Sequence, residues 1–225
     1  MATLQLYDQL LQFPLFQGMS RDDLVQVAGH TRFDFQNYAA QKTIVGEGDA
    51  CTHFYFLLSG TLGVETCSDN HSYRVVEQLS APYMLQAETV FGYYQRYTHT
   101  YRALTPVNVM RLDRQEVMRL SEQFLVFRIN LLNLFATQSQ KCLRQVWRHS
   151  PQTLDERIVR FFVQHCIHPA GPKVFYILMT RLADELNDSR LDVSRALNRL
   201  QAKGMLSLHR GRIEIPQMEY LLMNV

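Results

Sequence analysis

Residues 178–213 read LMTRLADELNDSRLDVSRALNRLQAKGMLSLHRGRI. Two helical patterns meet there at a tight turn and run into a basic β-hairpin. The pattern predicts a first helix over Thr180–Leu186, a turn at Asn187-Asp188 and a second helix over 189–203. Gly204 ends the second helix, because glycine enters the left-handed conformation found just past a helix end. Val193, Ala196, Leu197 and Leu200 share one face by spacings of three and four. Leu191, Arg195, Asn198 and Arg199 point the other way. A helix that packs on one side and presents a polar, basic side outward suits a DNA major groove.

Charge placement says more than total charge. The formal net charge is only +2, yet residues 189–212 hold six basic residues (Arg190, Arg195, Arg199, Lys203, Arg210 and Arg212) against one acid, Asp192. A local excess of this kind is the footprint expected for phosphate contact. A basic run alone describes many solvated helix faces; the capped helix–turn–helix pattern is what directs it toward DNA.

Outward from this stretch, Ser150-Pro151 marks a hinge, since proline cannot continue a helix. Thr153–His168 then reads as a helix, Pro169–Pro172 as a loop and 174–178 as a short strand. Upstream, 114–120 and 122–148 read as helices. The longer one carries two apolar stripes, Leu125, Ile129, Leu132, Ala136, Leu143 and Val146 on one side and Phe124, Phe127, Leu131 and Leu134 on another. One stripe suffices to cover a core, so the second predicts a seam with another copy of the chain. Residues 31–112 change texture to short strands broken by turns, at Gly46–Asp49 and Ser59-Gly60 among others, which suggests a sandwich or barrel. Residues 4–12 and 20–30 read as helices, the second N-capped by Ser20.

Length and composition fit one large or two small domains: 225 residues, 47% hydrophobic and 20% charged. No run approaches the roughly 20 apolar residues of a membrane span, and the N-terminus lacks the features of a secretory signal. A cytoplasmic protein is expected. Cys51, Cys67, Cys142 and Cys166 are too dispersed for metal-ligand spacing, and no cofactor or metal site is expected. No nucleophile elbow, phosphate-cradling glycine loop or HExxH is present, so no enzyme is expected.

The order of these parts resembles the CRP/FNR family of bacterial transcription factors along nearly the whole chain. Ser189-Arg190-Leu191-Asp192-Val193-Ser194-Arg195 is similar to the family's S-R-E-T-V-S-R segment. Gly204-Met205-Leu206 resembles its entry to the wing. Gly48-Asp49, Tyr55–Leu58 and Ser59-Gly60 resemble its barrel turns and strand. The resemblance implies an α+β chain: an N-terminal double-stranded β-helix (jelly-roll, cyclic-nucleotide-binding-like) barrel at 1–120, a dimerisation helix at 121–149 and a C-terminal winged helix–turn–helix at 150–225. It implies double-stranded DNA, a second copy, a small-molecule effector and RNA polymerase as partners, and no membrane. The residues expected to meet DNA are Thr180, Ser189, Arg190, Leu191, Asp192, Ser194, Arg195, Arg199 and Arg210.

Two departures qualify the resemblance. Leu191 stands where the family has a base-reading glutamate. Leucine cannot accept a hydrogen bond from cytosine but can touch a thymine methyl. Cyclic-nucleotide-binding members carry a G-E turn followed by R-[ST]; here the segment is Gln86-Ala87-Glu88-Thr89 and then Arg96-Tyr97-Thr98. Tyr97 occupies the arginine's place, and Arg96, one residue away in a strand, faces the opposite side. Glu88, Arg96, Tyr97 and Thr98 are the expected effector-side residues, with an effector other than cyclic AMP. A cyclic nucleotide held by a non-standard phosphate site, and a sensor module that binds no DNA, are the alternative readings.

Overall fold

The computed structural model describes residues 2–146 and 150–224. The helices are α1 (Ala2–Leu10), α2 (Arg21–His30), α3 (Arg114–Gln123), α4 (Leu125–Val146), α5 (Leu154–Gln164), α6 (Met179–Leu186), α7 (Arg190–Ala202) and α8 (Met218–Met223). The strands are β1 (Asp34–Tyr38), β2 (Thr43–Val45), β3 (His53–Ser59), β4 (Thr61–Cys67), β5 (Arg74–Ser80), β6 (Tyr83–Leu85), β7 (Thr100–Ala103), β8 (Val107–Asp113), β9 (Lys173–Tyr176), β10 (Ser207–His209) and β11 (Arg212–Ile215). The order is that of an α+β chain: jelly-roll strands, a long helix, then a helix–turn–helix with a hairpin.

The residues pack into two compact units that interleave along the sequence. The first gathers the chain up to Leu62, Ser80–Thr98 and Arg102 through α4. Its sheet has the antiparallel order β1-β8-β3-β6. The nearly unbroken apolar run Phe54–Leu57 of β3 is buried. Phe13 packs edge-on to Phe56, with ring centres 5.0 Å apart. Gly60 closes the turn after β3 with φ of +91°, and a Cβ there would lie 2.5 Å from the Pro106 carbonyl oxygen. No other residue fits both demands.

α4 anchors in this unit through one of its two stripes. Phe127 is fully buried against Phe16, and the Asn130 side chain donates to the carbonyls of Leu15 and Gln17. The other stripe stays in the open: Leu125, Ile129, Leu132 and Leu143 are 59, 46, 62 and 62% exposed. The expected continuous helix from 122 is instead interrupted at Phe124, which adopts extended backbone and closes α3 by donating to Leu120. The expected end of the long helix, at 147–148, lies outside the described residues, as does the side chain of Val146.

The second unit gathers Gly63–Leu79, His99–Tyr101 and the C-terminal part of the chain. Its strands follow the order β10-β11-β9-β5-β4-β7. The key pairing is β5 with β9, antiparallel, with Val75 opposite Phe175 and Glu77 opposite Lys173. Val75 thereby joins a core of Ile158, Phe162, Phe175, Leu182, Val193 and Leu197. This core explains why the apolar faces of α5, α6 and α7 have the spacing seen in the sequence: each helix buries one stripe in a shared interior.

Candidate DNA interface and effector-side residues

The DNA-facing candidates begin with the turn between α6 and α7. Asn187 takes the left-handed conformation (φ 50°, ψ 51°), and its N–H returns to the carbonyls of Ala183 and Asp184. Asparagine tolerates this conformation better than most residues. Asp188 accepts from the Ser189 N–H at 2.7 Å, and Ser189 caps α7 by accepting from the Asp192 N–H at 3.1 Å. Each cap satisfies a backbone donor that the first helical turn otherwise leaves free.

From this start α7 lays out its two faces as expected. Val193, Ala196, Leu197 and Leu200 are fully buried. Arg190, Leu191, Asp192, Arg195, Asn198 and Arg199 are exposed, with Ser194 half-buried. Leu191 keeps 59% of its surface, a cost in water that a contact with a methyl group would remove. The Ser189 hydroxyl donates to Asp192, whose other carboxylate oxygen lies 3.4 Å from Arg195. Thr180, Arg190 and Arg210 line one hollow of about 390 Å³, formed by α6, the first residue of α7 and the hairpin. His209 and Leu178 line it too; both escaped the sequence reading, because neither carries a charge pattern of its own.

All nine candidates except the half-buried Ser194 are exposed, Arg199 included, and Thr180, Arg190 and Arg210 meet at the hollow. Arg199 is different. Its guanidinium donates to Asp155 of α5, at 2.5 and 3.4 Å, and that carboxylate raises its pKa further. A sequence shows an arginine on a basic face but not the acid that a neighbouring helix brings to it.

The effector-side candidates lie in the first unit and diverge. Glu88 is exposed on a short 3-10 turn, Ala87–Thr89. Arg96 is exposed and donates to the Gly48 carbonyl at 2.7 Å. Tyr97 is 2% exposed, and its hydroxyl donates to the His53 carbonyl at 3.2 Å. Thr98 pairs with the buried Gln86, which donates to the Thr98 hydroxyl at 2.6 Å and accepts from the Thr98 N–H at 3.1 Å. Gln86, in the left-handed region at φ 31°, is a residue the sequence reading missed. Nothing marks a glutamine as a lock between two loop segments until its partner is in view. Nearby, Thr89 donates to the Cys51 thiol, whose pKa burial pushes up.

A capped helix pair with a polar, basic reading face, followed by a hairpin, defines a winged helix–turn–helix DNA-binding protein. Comparison with known proteins gives its family. The family model of the cyclic nucleotide-binding domain matches residues 35–124, and that of the Crp-like helix-turn-helix domain matches 156–223. Together and in this order they span most of the chain, and the chain belongs to the CRP/FNR family of transcriptional regulators.

Solved structures share the fold. The catabolite activator protein of Thermus thermophilus is 19% identical, with a TM-score of 0.53 over 93% of this chain and 97% of its own. A protein of Eubacterium rectale assigned to the CRP/FNR family is 19% identical, with a TM-score of 0.54 over 94 and 97%. The sensor domain of the regulator DNR from Pseudomonas aeruginosa is 17% identical, with a TM-score of 0.53 over 68 and 99%. No curated protein sequence matches the chain. Among the described residues, no helix is long and apolar enough to cross a membrane.

Proposed function

We propose that the chain acts as a homodimer that reads a two-fold DNA operator with two copies of α7, under the control of a small effector other than cyclic AMP. The observation that carries this reading is the outward face of α7. Arg190, Leu191 and Arg195 stand free of the core on a helix whose other face is fully buried. Arg190 and Arg195 supply donors for base edges or flanking phosphates, and Ser189 sits where a helix N-terminus favours an anion. Thr180 and Arg210 contact phosphate from either side of the hollow they share with Arg190. Asp192 and Ser194 complete the face, and Arg199 contributes charge while held by Asp155.

The exposed stripe of α4 supports the dimer. Leu125, Ile129, Leu132, Ala136 and Leu143 follow alternating steps of four and three, with Ser139 between the last two, as in a coiled-coil seam. Two copies of α7 related by a two-fold axis would meet half-sites about one DNA turn apart. The effector reading rests on Tyr97 and Arg96. A cyclic phosphate needs a cation facing it; Tyr97 is buried at that position and Arg96 is engaged by the Gly48 carbonyl. Residues 1–120 are proposed as the effector-sensing part, 121–149 as the dimer helix and 150–225 as the DNA-binding part. The protein is proposed to act in the cytoplasm and without catalytic activity, with RNA polymerase as its downstream partner.

The test is selection of duplexes from a random-sequence pool by the purified protein, followed by gel-shift titration with the Arg195→Ala variant. Enrichment of a two-fold sequence, and loss of its specific binding in the variant, are expected. A wild-type protein that enriches no sequence, or a variant that binds as before, removes the reading of α7.

A further inference from the structure

Two residues of α5 touch α7 or its leading turn, at separate points. Arg157 donates from one nitrogen to the Leu186 carbonyl, the last of α6, at 3.0 Å. Its other nitrogen meets the Asp188 carboxylate at 2.5 Å. The second oxygen of that carboxylate holds the Ser189 N–H, so one guanidinium governs the turn and, through it, the cap of α7. Two residues earlier on α5, Asp155 receives the guanidinium of Arg199 near the far end of α7. From Ser189 to Arg199 a helix rises about 15 Å.

We infer that Arg157 and Asp155 are positioning residues: they set the direction in which α7 meets DNA, by gripping it at both ends from one rigid helix. This deepens the proposed function and rests on its reading of α7. A rod held at two points about 15 Å apart tilts by about 4° when one point slips by about 1 Å. Hydrogen bonds to base edges weaken steeply with such errors of angle and distance. Contacts to phosphate are longer-ranged and less directional. Loosening the grip therefore costs sequence discrimination and spares general DNA affinity. Arginine suits the turn because its planar fork reaches two acceptors at once, which a lysine head does less well.

Asp155 gives this inference a sharp test. Removing an acid from the neighbourhood of a DNA-binding helix, and freeing Arg199, should on charge alone leave binding unchanged or tighten it. The positioning role requires the opposite for the specific site. The full-length wild type and the Asp155→Ala, Arg157→Ala and Arg157→Lys variants are titrated against the duplex selected by the wild type and against a shuffled duplex. Salt is fixed, and the temperature is kept below each variant's melting transition.

The expected result is a loss of about tenfold or more on the selected duplex in Asp155→Ala and Arg157→Ala, the scale of one mismatched base pair. Affinity for the shuffled duplex stays within about twofold or rises, because the phosphate contacts persist. Arg157→Lys falls between wild type and Arg157→Ala. An unchanged ratio of the two affinities in Asp155→Ala overturns the inference, as does an equal loss on both duplexes. Should Arg157→Ala fail to fold, Asp155→Ala decides alone. A wild type that enriches no duplex removes the reading of α7 and this inference together; enrichment with an unchanged ratio removes the inference only.

Discussion

Glu77 of β5 and Lys173 of β9 form an ion pair at 3.1 Å in which each side chain keeps 1% of its surface. All of its hydrogen-bonding directions lead inward. Lys173 also donates to the Ala170 carbonyl at 2.7 Å, and the carboxylate of Glu77 accepts from the N–H groups of Ile167 and His168 at 2.6 and 3.4 Å. Glu77 belongs to the stretch matched by the cyclic nucleotide-binding model, Lys173 to the stretch matched by the helix-turn-helix model. The same junction carries a hydrogen bond between Tyr73 and His165 at 3.0 Å and the Arg74 guanidinium over the Tyr176 ring at 4.6 Å.

A buried pair of this kind is sensitive to losing one member. Lys173→Met leaves the carboxylate of Glu77 buried without its cation, and should cost about 3–5 kcal/mol. The double variant Glu77→Leu with Lys173→Met removes both charges and should recover most of that loss. Denaturant melts of the two single variants and the double variant check this; a double variant as unstable as the sum of the singles would refute the pairing. A fragment of residues 150–225 lacks β5 and Val75, and should melt at lower temperature than the second unit does in the whole chain.

Leu132→Glu places a carboxylate in the middle of the exposed α4 stripe. The helix itself tolerates glutamate well, so the fold should survive. Sedimentation should show wild-type dimer and variant monomer, and binding to the two-fold duplex should weaken sharply while the melt of the monomeric fold changes little.

Leu191→Glu should change which base is preferred, not whether the protein binds. Leucine favours a thymine methyl, whereas glutamate accepts from the cytosine amino group. Selection with wild type and variant should differ at one position of each half-site, with discrimination there of about 1–3 kcal/mol. Identical selected sequences would mean that Leu191 does not face a base.

Tyr97 and Arg96 predict the outcome of adding cyclic AMP. Calorimetric titration should show no tight binding, because Tyr97 stands where the family's phosphate-pairing arginine belongs and Arg96 is engaged by the Gly48 carbonyl. Tyr97→Phe should cost about 1 kcal/mol, the worth of its hydrogen bond to the His53 carbonyl. Tight binding of cyclic AMP would overturn the effector reading.

His99 predicts an acid sensitivity in the second unit. Burial holds its pKa down at about 4, against an ordinary 6.5, with Thr66 2.8 Å from its ring nitrogen. A depressed pKa means that the unfolded chain takes the proton first. The contribution of neutral His99 is therefore complete above pH 6.5 and is lost as the pH falls toward 4, up to about 3 kcal/mol. Thermal melts between pH 7 and 4 should fall accordingly, and His99→Gln should flatten that slope.

The helix–turn–helix was legible in the sequence because its signals are local. Ser189 and Gly204 mark the ends of α7, and Val193, Ala196, Leu197 and Leu200 repeat on one face within a few turns. The double stripe of α4 was legible for the same reason. Its break at Phe124 was not, since a helical pattern runs through that residue undisturbed. Among the effector-side residues, the replacement of arginine by Tyr97 was visible, but the lock between Gln86 and Thr98 joins two segments with no shared pattern.

The sequence by itself thus determined the order of elements, the two faces of α7, the two stripes of α4 and the family. Each follows from spacing and capping within a few helical turns or strand residues, where neighbours in sequence are neighbours in space. Only the tertiary structure decided that β5 pairs with β9 around Glu77 and Lys173, that Asp155 holds Arg199 and that Arg157 holds the turn before Ser189. These contacts join residues whose separation along the chain sets no distance between them. The Glu77–Lys173 pair forms because a buried charge requires a partner, wherever in the sequence that partner lies; the contacts of α5 follow from the helices being packed side by side.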